Sequence, residues 1–462
     1  MFKFSVSVHC DNPNMAGSRS HLISLFIVLG VIHGTQSYKQ LKHTYQEAKQ
    51  RWNYVQVRQN AHMFWWLYYT TASTNYQSKP LVLWLQGGPG GSSTGFGNFG
   101  EIGPLDVNQN PRRTTWLSKV SLLFIDNPVG AGFSYVTDDS AYTTNNDMIA
   151  ADLLTVLMAF LKELPDFRTI PFFIFCESYG GKMTAGFSLA LQKAIIARQI
   201  DCNFKGFALG DSWISPWDST FTWGPYLKAT SLIDEHGLQL INGSVVVARK
   251  AYDNGKYGLA TDEWGKTQEI LESLTGGVNF YNILQWNSQE DTKHSYKKYK
   301  EQSIFERLVH RNLAHLSSDS LDQLMNGPIR KKLGIIPRNV TWGGQSDKVF
   351  EHLKEDFMKP VVNVVDELLR MSNLSVNIYT GQLDLIVDTL GTEAWVQKLT
   401  WPYLHQFNTA KRKPLLDPLK KNPIAFVKQY KNLGFYWILD AGHMVPADAG
   451  EAALMMLDMV TS

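Results

Sequence analysis

Ser178, Asp384 and His443 are the residues whose types and order can do covalent chemistry. Ser178 sits in Phe175-Cys176-Glu177-Ser178-Tyr179-Gly180-Gly181, after the apolar run 170–175 and before a long helical pattern. A serine on a sharp strand-to-helix turn exposes its hydroxyl at the helix N-terminus. The hydroxyl is a weak nucleophile. It needs an imidazole to take its proton, and an acid to fix the tautomer of that imidazole. His443, in Ala441-Gly442-His443-Met444, and Asp384, in Gly381-Gln382-Leu383-Asp384, can fill those roles. Taken singly, Ser178 also reads as a helix N-cap, His443 as a core histidine and Asp384 as a turn residue. Their joint order, each just after an expected strand, makes the case.

Two further features belong to the same chemistry. Gln86-Gly87-Gly88-Pro89-Gly90-Gly91-Ser92-Ser93 follows the apolar run 81–85 and lacks the lysine of a phosphate loop. It reads as an oxyanion loop, with the N–H groups of Gly88 and Tyr179 aimed at the tetrahedral oxygen. Such a donor is worth roughly 3 kcal/mol in the transition state. Glu177 stands beside the nucleophile, where an ionised carboxylate would repel an anionic transition state. Sharing a proton with a second carboxyl makes it a donor, able to hold a substrate's terminal carboxylate at acidic pH. Cys176 reads as a small buried residue rather than a catalytic thiol.

The elements that must position these residues follow from periodicity. Short apolar runs at 81–85, 120–125, 170–175, 204–209, 376–380 and 435–439 read as buried strands. Helical spacing at 146–164, 183–200 and 361–369, and an Ala-, Leu- and Met-rich end at 447–460, alternates with them. This predicts an α/β fold with a central, mostly parallel sheet. The order Ser, Asp, His is that of α/β-hydrolases, not of chymotrypsin or subtilisin. Residues 214–345 carry more charge and few strand-like runs, with helical patterns at 233–253 and 259–274. They are expected to form a mostly helical insertion between core segments 38–213 and 346–462.

Bulk properties set the class. With 462 residues, 44% of them hydrophobic, the chain can build a large core. Lys plus Arg is 44 against 42 Asp plus Glu, so charge gives no case for nucleic acid. Residues 22–32 (LISLFIVLGVI) are apolar but too short for a membrane span, with small and polar residues after them. Residues 1–37 therefore read as a signal-peptide region, cleaved near 34–37, with Met15 as an alternative start. Sequons at Asn242, Asn339 and Asn373 agree with a secretory route to the outside or to lysosomes, and each predicts an exposed loop if glycosylated. Of Cys10, Cys176 and Cys202, only the last two follow the expected cleavage point, so at most one intrachain disulfide can form. No metal-ligand spacing is present, and the chemistry requires no metal or organic cofactor. No retention tetrapeptide ends the chain.

The blocks 84–93, 126–135, 177–181, 210–213 and 442–446 together resemble the serine carboxypeptidase family across about residues 40–460. The resemblance implies release of C-terminal residues from peptides and proteins through an acyl-enzyme, usually favoured at acidic pH. It implies a triad of Ser178, Asp384 and His443 and an oxyanion hole of Gly88 and Tyr179. It assigns Trp84, Gln86, Gly87 and Glu177 to the substrate carboxylate, with Glu101 near the position of the glutamate that shares a proton. Met444 matches a residue beside the leaving-group pocket. Three positions depart from the family pattern. Gln86 replaces the usual asparagine, adding a methylene that can displace the amide by about 1 Å. Gly91 replaces a cysteine of a disulfide-rich framework, and Cys176 replaces the first glycine of the nucleophile motif. Two other readings use the same residues: acyl transfer from a different substrate, and an inert hydrolase fold serving as a binding glycoprotein.

Overall fold

Large apolar side chains on both faces at 81–85, 121–125 and 172–177 leave these segments no solvated side, which suits only the middle of a covered parallel sheet. The computed structural model, which describes residues 48–286, 318–371 and 373–462, places them there, every residue of all three buried. The strands are β1 (Gln50–Arg58), β2 (Ala61–Tyr68), β3 (Leu81–Leu85), β4 (Ser121–Ile125), β5 (Tyr135–Val136), β6 (Phe172–Glu177), β7 (Phe204–Gly210), β8 (Ser375–Gly381), β9 (Lys413–Leu416), β10 (Pro423–Tyr430) and β11 (Leu433–Ile438). They form one 11-stranded sheet in the order β1-β2-β4-β3-β6-β7-β8-β11-β10-β9, with β5 paired to β2.

From β4 to β11 neighbouring strands run parallel, so the carboxyl ends of β3, β6, β7, β8 and β11 share one edge. In such sheets that edge is where ligands bind. Both flanks are antiparallel, which makes the sheet mixed. Of the flanking strands, β1 and β10 were not legible as apolar runs because they are half solvated and alternate between covered and exposed residues, while β2 (AHMFWWLY) is an apolar, buried run. Tight turns carrying Asn60 and Lys431, both at positive φ, close their hairpins.

The helices that bear on the site are α1 (Asn146–Glu163), α2 (Tyr179–Ile196), α3 (Pro216–Ala229), α4 (Glu235–Asp253), α5 (Tyr257–Thr275), α6 (Asp347–Phe357), α7 (Val362–Met371), α8 (Thr389–Val396) and α9 (Gly450–Thr461). α2 starts directly after Ser178 rather than at Met183. Gly180 and Gly181 lower helix propensity, but close packing requires them: a Cβ on Gly180 would lie 2.4 Å from Leu85 O, and one on Gly181 2.2 Å from the Ser212 side chain. α2 packs on β6 and β7 and against α1 and α7. Between β7 and α6 the described chain is mainly helical. It is tied down by Trp213 Nε1 donating to Phe357 O at 3.0 Å, Thr261 Oγ1 to Lys354 O at 2.9 Å and Tyr226 OH to Gln382 O at 2.7 Å.

Cys176 and Cys202 are both buried and both free. Stability rests instead on a core rich in fully buried aromatics, among them Trp65, Trp84, Trp116, Trp223, Trp264 and Trp395. Fully burying a large apolar side chain contributes about 1.5–3 kcal/mol. The segment 1–37 lies outside the described residues. Among those described, no helix is long and apolar enough to cross a membrane. Asn339 and Asn373 are exposed in turn or loop positions. Asn242 is exposed too, but it projects from the middle of α4 rather than from a loop, because the amphipathic pattern around it is helical.

Candidate active site

Ser178 stands between β6 and α2 with φ 61° and ψ −129°, a conformation that costs a non-glycine residue about 1–3 kcal/mol. Three hydrogen bonds hold it there. Its N–H donates to Gly210 O at 3.0 Å, and its carbonyl accepts from Gly181 N at 2.9 Å and Trp213 N at 2.8 Å. Its side chain makes no capping bond to the helix, which removes the N-cap alternative. Gly87 passes so close that a Cβ there would lie 2.4 Å from Ser178 Cβ, so only glycine fits. Cys176 is accommodated below the turn, with Sγ 3.3 Å from Ala208 O. Burial pushes its thiol up to about 11, which keeps it protonated and inert.

His443 and Asp384 reach the same edge from adjacent parallel strands. Gly381 at the end of β8 is in register with Ile438 at the end of β11. His443 Nδ1 lies 2.8 Å from Asp384 Oδ2, with both side chains sealed from water. The acceptor carboxylate fixes Nδ1–H as the donor and leaves Nε2 as the free base. The loops interlock: Leu383 N donates to Ala441 O at 2.7 Å, and a Cβ on Gly381 would strike Gly442 O at 2.0 Å. Tyr281 was not legible from sequence. Its ring stacks on His443 with centroids 4.6 Å apart, and its carbonyl accepts the His443 N–H at 2.7 Å. No motif surrounds it, and only the folded chain brings it there.

The glycine loop lies against this turn. Gly88 has φ +113° and Gly90 φ +104°, which L side chains rarely adopt. The loop is tied by Gly91 N donating to Gly87 O at 2.9 Å and by Gln345 Nε2 donating to Pro89 O at 2.6 Å. Gln345 had no sequence signal. The Tyr179 N–H belongs to the first residue of α2, where helices offer unpaired donors.

Beside the nucleophile lies a buried polar fork. Trp84 Nε1 donates to Gln86 Oε1 at 2.8 Å, which fixes the orientation of the amide. Gln86 Nε2 then donates to Glu101 Oε1 at 3.1 Å and to Glu177 Oε1 at 3.0 Å. Glu101 arrives on a π-type helical segment, Ser93–Ile102, and is fully buried. The extra methylene of Gln86 therefore does not uncouple its amide from the carboxyls. Its Cγ would lie 3.2 Å from a Cβ on residue 91, so any side chain at Gly91 would press on Gln86.

The two remaining oxygens, Glu101 Oε2 and Glu177 Oε2, are buried with no donor. The carboxyls are neighbours, since an oxygen of each bonds the same nitrogen, Gln86 Nε2. Two neighbouring buried carboxyls cannot both ionise, so one proton is shared. Burial raises Glu101 to about 7, and burial together with the Glu101 charge holds Glu177 well above the usual carboxylate range. Met444 follows His443 and is 5% exposed; its Cε lies 3.9 Å from where a Cβ on Gly100 would sit.

Comparison with known proteins agrees with this geometry. The serine carboxypeptidase family model matches residues 40–462. The human retinoid-inducible serine carboxypeptidase is 55% identical over 418 residues, which span 90% of this chain and 92% of the relative. The Arabidopsis thaliana serine carboxypeptidase-like 51 is 41% identical over 453 residues, spanning 96% and 98%. The solved structure of a prohormone-processing carboxypeptidase from Saccharomyces cerevisiae has a TM-score of 0.75 at 21% identity, covering 89% of this chain and 91% of that one. It establishes the α/β-hydrolase fold.

Proposed function

Because this chain belongs to the serine carboxypeptidase family, we propose that it removes C-terminal residues from peptides through an acyl-enzyme on Ser178, with an acidic pH preference. The observation that carries this reading is the fork of Gln86, Glu101 and Glu177 against the turn that holds Ser178. A general hydrolase has no use for two buried carboxyls there. An exopeptidase needs a receptor for a chain end.

The roles are assigned from residue chemistry and family membership, and the His443–Asp384 bond supports them. Ser178 Oγ attacks the last peptide carbonyl while His443 Nε2 takes its proton. Asp384 stabilises the imidazolium formed. The Gly88 and Tyr179 N–H groups receive the oxyanion. His443 then protonates the departing amine and, after release of the C-terminal residue, activates water against the acyl-enzyme. The proton shared by Glu101 and Glu177 donates to the substrate's terminal carboxylate, with Trp84, Gln86 and the Gly87 backbone framing the site. Met444 lines the leaving-group side with apolar surface. As pH rises, the pair loses its proton, becomes doubly negative and repels the substrate, so binding is favoured in acid. The described residues between 214 and 345 act as a cap, supported by Tyr281 stacked on His443; residues 287–317 of that expected insertion lie outside the described residues. A secretory or lysosomal location is supported by the apolar stretch 22–32 and by exposed sequons at Asn242, Asn339 and Asn373, which we propose are glycosylated.

Intact-mass analysis of peptide digests between about pH 4 and 7, comparing wild type with Ser178→Ala, tests the reading. Stepwise loss of C-terminal residues in wild type alone is expected. Absence of trimming by folded protein whose Ser178 takes a fluorophosphonate label would reject it.

A further inference from the structure

A second carboxyl pair lies behind the triad. Gly210-Asp211-Ser212-Trp213 stood out in the sequence, yet the triad, the oxyanion hole and the carboxylate fork leave Asp211 without a role. Asp211 follows β7 with φ 38°, a left-handed turn that aspartate tolerates better than most residues. Its N–H donates to Tyr379 O at 2.9 Å. Its Oδ1 accepts the Gly381 N–H at 2.9 Å, on the strand end that leads to Asp384. The side chain is fully buried, Oδ2 has no donor among the described residues, and Gly381, which bonds Oδ1, also accepts the Asp384 N–H at 3.3 Å; burial first and then the neighbouring Asp384 carboxyl hold Asp211 well above the usual carboxylate range.

Asp384 already accepts from His443 Nδ1 through Oδ2, and its Oδ1 has only a long bond, 3.4 Å, from Val387 N. Two neighbouring carboxylates without water would repel each other. Asp384 and Asp448 both act on Asp211 to raise it, and the basic group beside the pair, His443, bonds the other oxygen of Asp384 at 2.8 Å rather than Asp211. A proton on the pair relieves that repulsion. It belongs on Asp211 Oδ2, because Asp211 Oδ1 is occupied by the Gly381 N–H and Asp384 must stay anionic toward the imidazole.

We propose that Asp211 is a positioning residue, carrying a proton that it donates to Asp384, and so holding the triad acid in line with His443. The sequence is then Asp211, Asp384, His443, with the outermost acid neutral and the inner one charged. The proposal rests on the triad assignment above. Its direct consequence is an alkaline limit: losing the Asp211 proton places a second negative charge against Asp384 and breaks the bond that aligns it.

The test is the rate at which an uncharged fluorophosphonate modifies Ser178, measured from acid to alkaline pH in wild type, Asp211→Asn and Asp211→Ala. This probe does not need the carboxylate fork. Asparagine supplies a permanent donor to Asp384 and an acceptor for Gly381 N–H, so labelling should stay near the wild-type rate. Its acid limb should be unchanged and its alkaline limb extended to higher pH. Alanine supplies neither, and labelling should fall about 10- to 100-fold, the scale of a small misplacement in a catalytic group. Thermal unfolding checks that each variant folds; if the alanine variant does not, the asparagine profile decides alone. An asparagine profile that superposes on wild type, or a folded alanine variant that labels at the wild-type rate, overturns the proposal. Peptide trimming followed in parallel separates the two readings: wild type that labels but does not trim rejects the carboxypeptidase reading and leaves the Asp211 inference standing. Wild type that takes no label overturns both.

Discussion

The phenol of Tyr179 donates to Asp356 Oδ2 at 2.9 Å, and the same oxygen receives Lys182 Nζ at 2.7 Å. The first turn of the helix that follows the nucleophile is thereby tied to α6. Lys182 also donates to the carbonyls of Asp356 and Lys359. Side-chain exposures of 1% and 6% mean that this ion pair has no help from water.

Asp356→Ala should therefore leave an unpaired buried ammonium and cost about 3–5 kcal/mol in denaturant unfolding. Replacing both partners, as in Lys182→Met with Asp356→Leu, should recover much of that loss. Ser178 labelling should weaken in the single variant, because the Tyr179 side chain loses its anchor.

Shared protonation makes a paired prediction about pH. Glu101 is raised from the ordinary value of 4.5 to about 7, mainly by burial. A raised acid favours the folded state fully below its unfolded value, and that advantage is lost as pH rises through the folded value. Between about pH 4.5 and 7 the protein should lose on the order of 3 kcal/mol from this group. In Glu101→Gln the decline should flatten. KM for peptides should rise with pH in wild type and rise less in the variant, whose fork reaches one negative charge rather than two while burial still raises Glu177.

Gln86 and Gly91 should behave as a unit. Gly91→Ala places a methyl 2.9 Å from Gly87 O and 3.2 Å from Gln86 Cγ, so it should destabilise the loop and raise KM. Asparagine also carries a Cγ at this place, so the second contact is removed only by Gln86→Ala, which gives up the amide that bonds Glu101 and Glu177 as well. The double variant should lose less than the sum of the two single losses, with a coupling of about 0.5–3 kcal/mol in a double-mutant cycle. The recovery should be partial, since the clash with Gly87 O remains.

Cys176 should be silent. With its thiol buried and raised to about 11, iodoacetamide should not modify it in native protein at neutral pH, and Cys176→Ala should retain Ser178 labelling. Labelling of Cys176 by mass spectrometry is expected only after unfolding.

What sequence could show was set by how local each signal is. The nucleophile turn, the glycine loop and the strands around them are written in contiguous residues, so their positions were legible. Glu101 is different. Nothing around it marks a carboxylate partner, and only family resemblance pointed to it; the fold then brings it to Gln86 and Glu177. Tyr281 and Gln345 touch the site from segments without any motif. The outer strands β1, β9 and β10 escaped because they are half solvated and form no continuous apolar run, whereas β2, with Met63 to Tyr68 apolar and buried, carried a run that went unread. The start of α2 was read late because glycine's low propensity is overridden there by close packing against Leu85 and Ser212.

Glu177 and Ser178 are consecutive residues, the last of a central strand and the first beyond it. Their Cα atoms are held about 3.8 Å apart by one trans peptide. On the roles proposed above, the group that receives a chain's end and the group that cuts it share one planar peptide link. Cleavage register would then be set largely by covalent geometry. A molecule so built would work as a ruler one residue long, blind to any chain whose end is capped.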